Sequence, residues 1–198
     1  MSKRNALVKK LQAVEALGQA RIIAVDKTGT VTKNEMVVQK VYLPTNTEGT
    51  SGKIFEVSGV GYEPDGEIKL ENSNVDPLNH PELLFAGKIA AFCASARVVY
   101  SEEDKRWRIS GEPTEAAMLV FARKLGFNKD DLERESPIVD EIAFDYRLKY
   151  HATVHRSENI NLRDSKHGFV TVVGAPEVIL GLSQKIQIND KSHQLSEE

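Results

Sequence analysis

Arg21-Ile22-Ile23-Ala24-Val25-Asp26-Lys27-Thr28-Gly29-Thr30 is the stretch that decides how this chain is read. The four apolar residues Ile22 to Val25 predict a buried strand of the parallel kind, because a strand covered on both faces has no need to alternate. Asp26 stands where that strand would end, and Thr28 and Gly29 supply the turn that follows. Ligands of open α/β sheets gather at the C-terminal ends of the strands. A single Asp in a turn is ordinary. Asp-Lys-Thr-Gly-Thr directly after an apolar strand is a more specific pattern, since the motif sits in the context it needs.

The totals bound the alternatives. A chain of 198 residues has room for one or two domains, and 40% hydrophobic with 28% charged residues suits a water-soluble fold with a sizeable core. A net charge of −3 gives no case for nucleic acid or an acidic membrane surface. One cysteine, Cys93, excludes an internal disulfide and a Cys-based zinc site. No apolar run approaches the roughly 18 residues of a membrane span. The basic start (Lys3, Arg4, Lys9, Lys10) lacks the apolar centre of a signal peptide.

Outward from the opening stretch, residues 5–17 place Leu7, Leu11, Val14 and Leu17 at helical spacing, with Gly18 at the expected C′ position. This predicts an amphipathic helix packed on the next strand. Beyond Thr30, residues 31–36 leave the first domain. Strands are expected over 37–43 and 54–60, separated by the turn-rich 44–52. Pro81 opens a helix with Leu84, Ile89, Phe92 and Cys93 on its apolar face. Trp107 and Ile109 mark a short strand. A second helix then runs to Leu125 and is closed by Gly126, with Ala117, Val120, Phe121 and Leu125 as its core stripe. Strands follow at 138–144, at the alternating Tyr150, Ala152 and Val154, and at 169–173, with a polar connection over 156–167. A short helix at 176–182 and a strand fragment at Ile186 and Ile188 complete the pattern. Strands joined by turns, with helices set apart, predict an antiparallel α+β domain. The five histidines have no metal-ligand spacing and are expected at the surface or in the core.

Asp26-Lys27-Thr28-Gly29-Thr30 resembles the phosphorylation motif of the P-type ATPases, transport ATPases that pass through an aspartyl-phosphate. The segment before it is similar to the piece that precedes this strand in type II members, with Ala13-Val14-Glu15 where Pro-Val-Glu is usual. The resemblance makes Asp26 the nucleophile and a ligand of Mg²⁺, a hard cation suited to carboxylate and phosphate oxygen. It gives Lys27 to the phosphate charge and Thr28 to the catalytic turn and the metal. Such chemistry depends on positioning and charge neutralisation. Phosphatases of the wider haloacid-dehalogenase-like superfamily carry an acid–base Asp two residues after the nucleophile. That position is Thr28 here, which cannot activate water and so disfavours a phosphatase.

Three later stretches resemble the nucleotide-binding domain of the same family, in its order. In Gly111-Glu112-Pro113-Thr114-Glu115 the resemblance implies that Glu115 contacts the adenosine; the residues read equally as an ordinary helix start. In Phe144-Asp145-Tyr146-Arg147-Leu148-Lys149 it implies Phe144 stacked on the adenine and Lys149, or Arg147 in its place, beside the nucleotide. An aromatic face is a platform for any base, and ammonium is a point-charge partner for phosphate. If the flanking strands form a hairpin, Phe144 and Lys149 meet at its mouth. The alternative is Phe144 in the core and Lys149 in solvent. His151 stands where the family usually has Met. In Val173-Gly174-Ala175-Pro176-Glu177, Gly174 would let backbone close on the nucleotide, and Val173 replaces the usual Lys, which predicts weaker ATP binding.

The expectation is therefore an α+β chain in two parts. Residues 1–33 are the first helix–strand piece of a haloacid-dehalogenase-like α/β phosphorylation domain. Residues 34–198 are a nucleotide-binding domain, an antiparallel sheet flanked by helices, lacking its C-terminal part. The resemblance implies ATP and Mg²⁺ as cofactors and a cation-transporting, calcium-ATPase-like parent on the cytoplasmic side of a membrane. Its partners would be the rest of the phosphorylation domain, the actuator and the membrane domains, with no membrane contact by this piece and no nucleic acid. Asp26 would be nearly inert alone, because one carboxylate cannot hold Mg²⁺ and phosphate in attack geometry. A non-catalytic interaction module that keeps the fold without the ligand is the alternative, favoured by Val173 and His151.

Overall fold

The computed structural model describes residues 10–156, 168–188 and 191–195. The first part of the helix expected over 5–17 and most of the connection expected over 156–167 lie outside the described residues. The chain divides into two compact units between Asn34 and Glu35.

In the first unit, α1 spans Leu11–Gly18. Gly18 is the last helical residue, not a left-handed C′ residue, and Val14 and Leu17 are exposed. The segment Ile22–Val25 is not a strand. No described segment pairs with it, and Ile22 and Ile23 are 87% and 82% exposed. The reason is elementary: a strand exists only through its ladder, and apolar side chains are buried only where a second surface meets them. After Asp26 the backbone makes a type II turn, with Thr28 at φ −77°, ψ 122° and Gly29 at φ 75°, ψ −3°. The third position of such a turn needs positive φ, which Gly29 adopts without strain. Thr32 closes the loop, its amide donating to the Lys27 carbonyl at 3.1 Å.

The second unit is α+β, as expected. Strands β1 (Lys40–Pro44), β2 (Gly52–Val57), β3 (Ile68–Leu70) and β4 (Ser73–Asn74) form an antiparallel meander in chain order. Phe55 and Val57 point inward from β2 while Ile54 and Glu56 point out, the period-2 pattern of a half-covered sheet. Helix α2 (Pro81–Cys93) begins with Pro at its first turn, where a missing N–H does no harm. It is buried on more than the single expected face. Leu83 and Ala90 join Phe55, Val57, Ile68, Phe121 and Leu125 on one side, and Ala91 and Phe92 join the Val98, Leu119 and Val120 cluster on the other. Leu84 and Ile89, expected on that apolar face with Phe92 and Cys93, are only partly buried. Each large side chain fully removed from water, such as Phe55 or Leu83, contributes about 1.5–3 kcal/mol.

The hairpin β5 (Arg97–Ser101) and β6 (Arg106–Ser110) leads into α3 (Pro113–Lys124), whose expected core residues Ala117, Val120 and Phe121, with Leu125 just beyond, are all buried. Helix α4 (Lys129–Glu135) follows, capped by the Asn128 side chain. Its Lys129 is buried. The ammonium donates to the Ala94 carbonyl and, at 3.4 Å, to the Ala91 carbonyl, and pairs with Glu133 at 2.9 Å. It thus satisfies carbonyls left open at the end of α2 and complements that end's partial negative charge.

Strands β7 (Ile138–Asp145), β8 (Tyr150–His155) and β9 (Phe169–Gly174) form the antiparallel sheet that bounds the site, followed by α5 (Pro176–Leu182) and the hairpin β10 (Lys185–Ile188) and β11 (Lys191–Gln194). The expected strand through Tyr150, Ala152 and Val154 is β8, with Ala152 buried and Tyr150 and Val154 partly so. His151, Thr153 and His155 are the side chains turned to the helices, paired in register with Val173, Thr171 and Phe169. Thr153 and His155 can occupy that face because their polar atoms find partners there. Thr153 donates to the Phe92 carbonyl at 3.0 Å, His155 Nδ1 lies 3.2 Å from the Ser136 carbonyl, and the His155 ring stacks on Phe169. Cys93 is buried, as expected, and burial pushes its thiol up.

Candidate functional site

The sheet β7–β9, the N-terminal end of α3 and the start of α5 enclose a cleft of about 900 Å³. Four chain segments far apart in sequence supply its walls. Ser95 and Ala96 come from the link after α2, Gly111 to Met118 from the entry to α3, Ala143 to His151 from the β7–β8 hairpin, and Val173 to Glu177 from the β9–α5 junction. Glu115, Phe144, Lys149 and Gly174 all line it, with Val173 and His151. Arg147 is not among the lining residues.

Phe144 owes its position to a β-bulge. Ile142 pairs with Ala152 and Asp145 with Tyr150, so Ala143 and Phe144 together oppose His151. The extra residue turns Phe144 out of the core, and its ring is 51% exposed with Tyr146 edge-on at 5.4 Å. The core alternative for Phe144 therefore does not hold. Asp145 fixes the hairpin tip, its Oδ1 accepting the Arg147 and Leu148 amides at 2.6 and 3.2 Å. Lys149 sits at φ 58° beyond this turn, and its ammonium reaches Glu177 Oε1 at 3.4 Å. The Glu177 carboxyl is held below the usual carboxylate range by its own backbone amide and then by Lys149.

Gly174 is required by chain packing. A Cβ there would strike the Lys149 carbonyl and come within 2.6 Å of the Tyr150 side chain, so only glycine lets β9 lie this close to β8 as it leaves the sheet. The bare backbone that results borders the cleft.

Glu115 is anchored before any ligand arrives. Its Oε2 accepts the Ser95 and Ala96 amides at 2.8 and 2.9 Å, which ties the link after α2 to the first turn of α3. Its Oε1 lies 3.7 Å from His151 Nδ1. His151 is 4% exposed, and neither ring nitrogen has a hydrogen-bond partner. Glu141 joins the same wall through the Ser95 hydroxyl at 2.9 Å. The sequence singled out His151 only as a departure from a pattern and did not single out Glu141. Both depend on cross-strand register and on the fold of the link at Ser95, which no local spacing encodes.

In the first unit Asp26, Lys27 and Thr28 are exposed on the turn described above. Among the described residues, no group of three or more His, Cys, Asp or Glu is placed to hold a metal ion. One carboxylate with its neighbouring backbone does not make a Mg²⁺ site. The cleft, by contrast, combines a volume of about 900 Å³ with a half-exposed aromatic ring and a buried imidazole.

A family model described as the cytoplasmic domain N of P-type ATPases matches residues 84–198. The chain is 36% identical over 198 residues to the cation-transporting ATPase pma1 of Synechocystis sp., covering 96% of this chain and 20% of that protein. It is 33% identical over 198 residues to a calcium-transporting ATPase of Bacillus subtilis, covering 100% of this chain and 21% of that protein. Similarity to the sodium/potassium exporting P-type ATPase cta3 of Schizosaccharomyces pombe is 34% over 170 residues, 80% of this chain and 16% of that protein. The chain spans about a fifth of the length of the first two relatives. No helix among the described residues is long and apolar enough to cross a membrane.

Proposed function

Because this chain belongs to the P-type ATPases and carries their cytoplasmic domain N, we propose that it is the ATP-binding part of a cation-transporting pump. The observation that carries this reading is the cleft itself. Four separate segments converge so that Phe144 offers a stacking face, Gly174 a bare backbone edge and Lys149 a cation, around a volume of about 900 Å³. The base is held on Phe144, and Lys149 reaches the phosphates by leaving Glu177. Arg147 stands outside the wall and is dispensable.

In the whole pump, by this proposal, the Asp26 carboxylate attacks the γ-phosphorus of ATP, ADP leaves, and the aspartyl-phosphate is later hydrolysed by water to drive a cation across the membrane. Lys27 offsets phosphate charge, and Thr28, lacking an acid–base group, leaves the phosphoenzyme to persist. Mg²⁺ in that step needs carboxylates beyond those grouped near Asp26 among the described residues, so this chain alone binds nucleotide without turning it over. The remainder of the phosphorylation domain, the actuator and the membrane domains are its partners, and it works on the cytoplasmic side.

Titration of the purified chain with ATP, followed by calorimetry or NMR shifts, tests the reading. Binding that is lost or strongly weakened in Phe144→Ala supports it. No binding at millimolar ATP, with Phe144→Ala indistinguishable from the parent, overturns it. A second reading, an interaction module that keeps the fold without the ligand, is favoured by one observation. The lining carries Glu112, Glu115, Glu141 and Glu177 against Lys149, with Val173 uncharged, and a triphosphate is repelled by such a balance. The same titration separates the two.

A further inference from the structure

A second cavity, of about 270 Å³, opens between the C-terminal half of α3, the start of α4 and strand β5, and it shares no lining residue with the cleft. Val98, Leu119 and Phe127 give it apolar walls, and Arg97, Arg123 and Lys129 bring three cations to it. Two of the three are already committed. Glu133 accepts from Arg97 at 2.7 Å and pairs with Lys129 at 2.9 Å, and Lys129 gives its remaining hydrogens to the Ala94 and Ala91 carbonyls. Arg123 is different. Its guanidinium lies over the Trp107 ring at 5.4 Å, and among the described residues it has no ion-pair partner. Asp130 borders the same cavity but is exposed and forms no ion pair with it.

A guanidinium stacked on an aromatic ring keeps its in-plane N–H groups available, because the ring takes only its face. An unpaired cation bordering a partly enclosed, apolar-walled space attracts an anion more strongly than one in open water. The surroundings narrow the choice of anion. One unpaired guanidinium matches one negative charge, whereas a dianionic phosphate would also meet Glu133 and Asp130 nearby. The planar fork of arginine fits a carboxylate through two parallel hydrogen bonds. Val98, Leu119 and Phe127 favour an apolar body behind that group. The volume falls just below the roughly 300 Å³ at which drug-sized ligands begin, so the ligand is small. We propose that this cavity binds a small monocarboxylic acid with an apolar body, its carboxylate paired with Arg123. The site lies outside the nucleotide cleft and does not depend on that reading.

Titration of the full chain with sodium hexanoate at constant ionic strength, followed by backbone-amide and arginine side-chain NMR, tests the proposal. Hexanoate moves the amides of Val98, Val99 and Phe127 and the Nε–H resonance of Arg123, and leaves the amides of Phe144 and Gly174 in place. Hexanamide, with the same body and no charge, binds more weakly by about tenfold or more, the scale of one hydrogen bond to a charged group. Arg123→Gln, which keeps a polar side chain and removes the charge, loses affinity for hexanoate by the same factor. The Arg123 resonance of the parent gives the answer without any variant, should that one fold poorly. Equal binding of hexanamide, an unmoved Arg123 Nε–H, affinity retained in Arg123→Gln, or no shift of the three amides at about 50 mM hexanoate overturns the proposal. Inorganic phosphate that binds at the same residues as tightly as hexanoate overturns the assignment to an apolar carboxylate.

Discussion

Glu115 Oε1 lies 3.7 Å from His151 Nδ1 while Glu115 Oε2 holds the Ser95 and Ala96 amides, so one carboxylate joins the architecture of the cleft to its open face. A residue engaged in this way has two roles that can be separated by measurement, and the same holds for other members of the wall.

Replacing Glu115 by Ala removes the acceptor of two backbone amides, one of them partly buried. The expected loss of stability is about 2 kcal/mol, read as a lower urea midpoint with unchanged slope. Glu115→Gln keeps an oxygen acceptor and loses less. An Ala variant as stable as the parent would show that the link at Ser95 does not depend on this carboxylate.

Phe144→Ala has the opposite profile. The ring is 51% exposed, so the variant should unfold within about 0.5 kcal/mol of the parent. Its ATP affinity should fall by about 1–3 kcal/mol, the contribution of one base–aromatic stack. A large drop in stability with affinity preserved would return Phe144 to the core.

Val173→Lys adds an ammonium to a wall that carries four carboxylates and one lysine. ATP affinity should rise by about 0.5–1 kcal/mol at low salt and lose that gain as salt is raised. An affinity that does not change, or a gain indifferent to salt, would place the phosphates away from this position.

His155 makes stability depend on pH. Burial pushes its imidazole below the ordinary 6.5, with the neighbouring Lys129 acting in the same sense and the Ser136 and Phe92 carbonyls opposing. The unfolded chain therefore takes up a proton near pH 6.5 that the folded chain refuses. The stabilisation is complete above that value and declines as pH falls toward the folded pKa. Unfolding midpoints between about pH 6.5 and 5, above the range where carboxylates titrate, should fall with acid in the parent and less steeply in His155→Phe. Parallel slopes would rule His155 out as the source.

Much of this molecule is legible from local chemistry. Pro81 and Pro113 open helices because their rings suit a first turn. Ala117, Val120, Phe121 and Leu125 fall on one helical stripe and are buried together. The Asp26 motif and the three later stretches identified the family without any coordinates. Four of the five residues expected around a nucleotide line one cleft.

Other features depended on contacts that no short window contains. Ile22–Val25 has the composition of a buried strand, yet strand character belongs to a ladder, and no described segment supplies one. The packed face of β8 is polar because Thr153 and His155 find partners on Ser136, Thr171 and Phe92, residues brought near only by folding. Gly174 is fixed by how closely β9 passes β8, and Phe144 reaches the cleft through a bulge that exists only in the pairing of β7 with β8. The sequence by itself determined the family and the α+β class and singled out four of the residues that line the cleft, because these follow from spacing and side-chain chemistry. The tertiary structure alone decided that Glu115 anchors backbone amides and that His151 is buried beside it without a partner, because both depend on distances between segments that are remote along the chain.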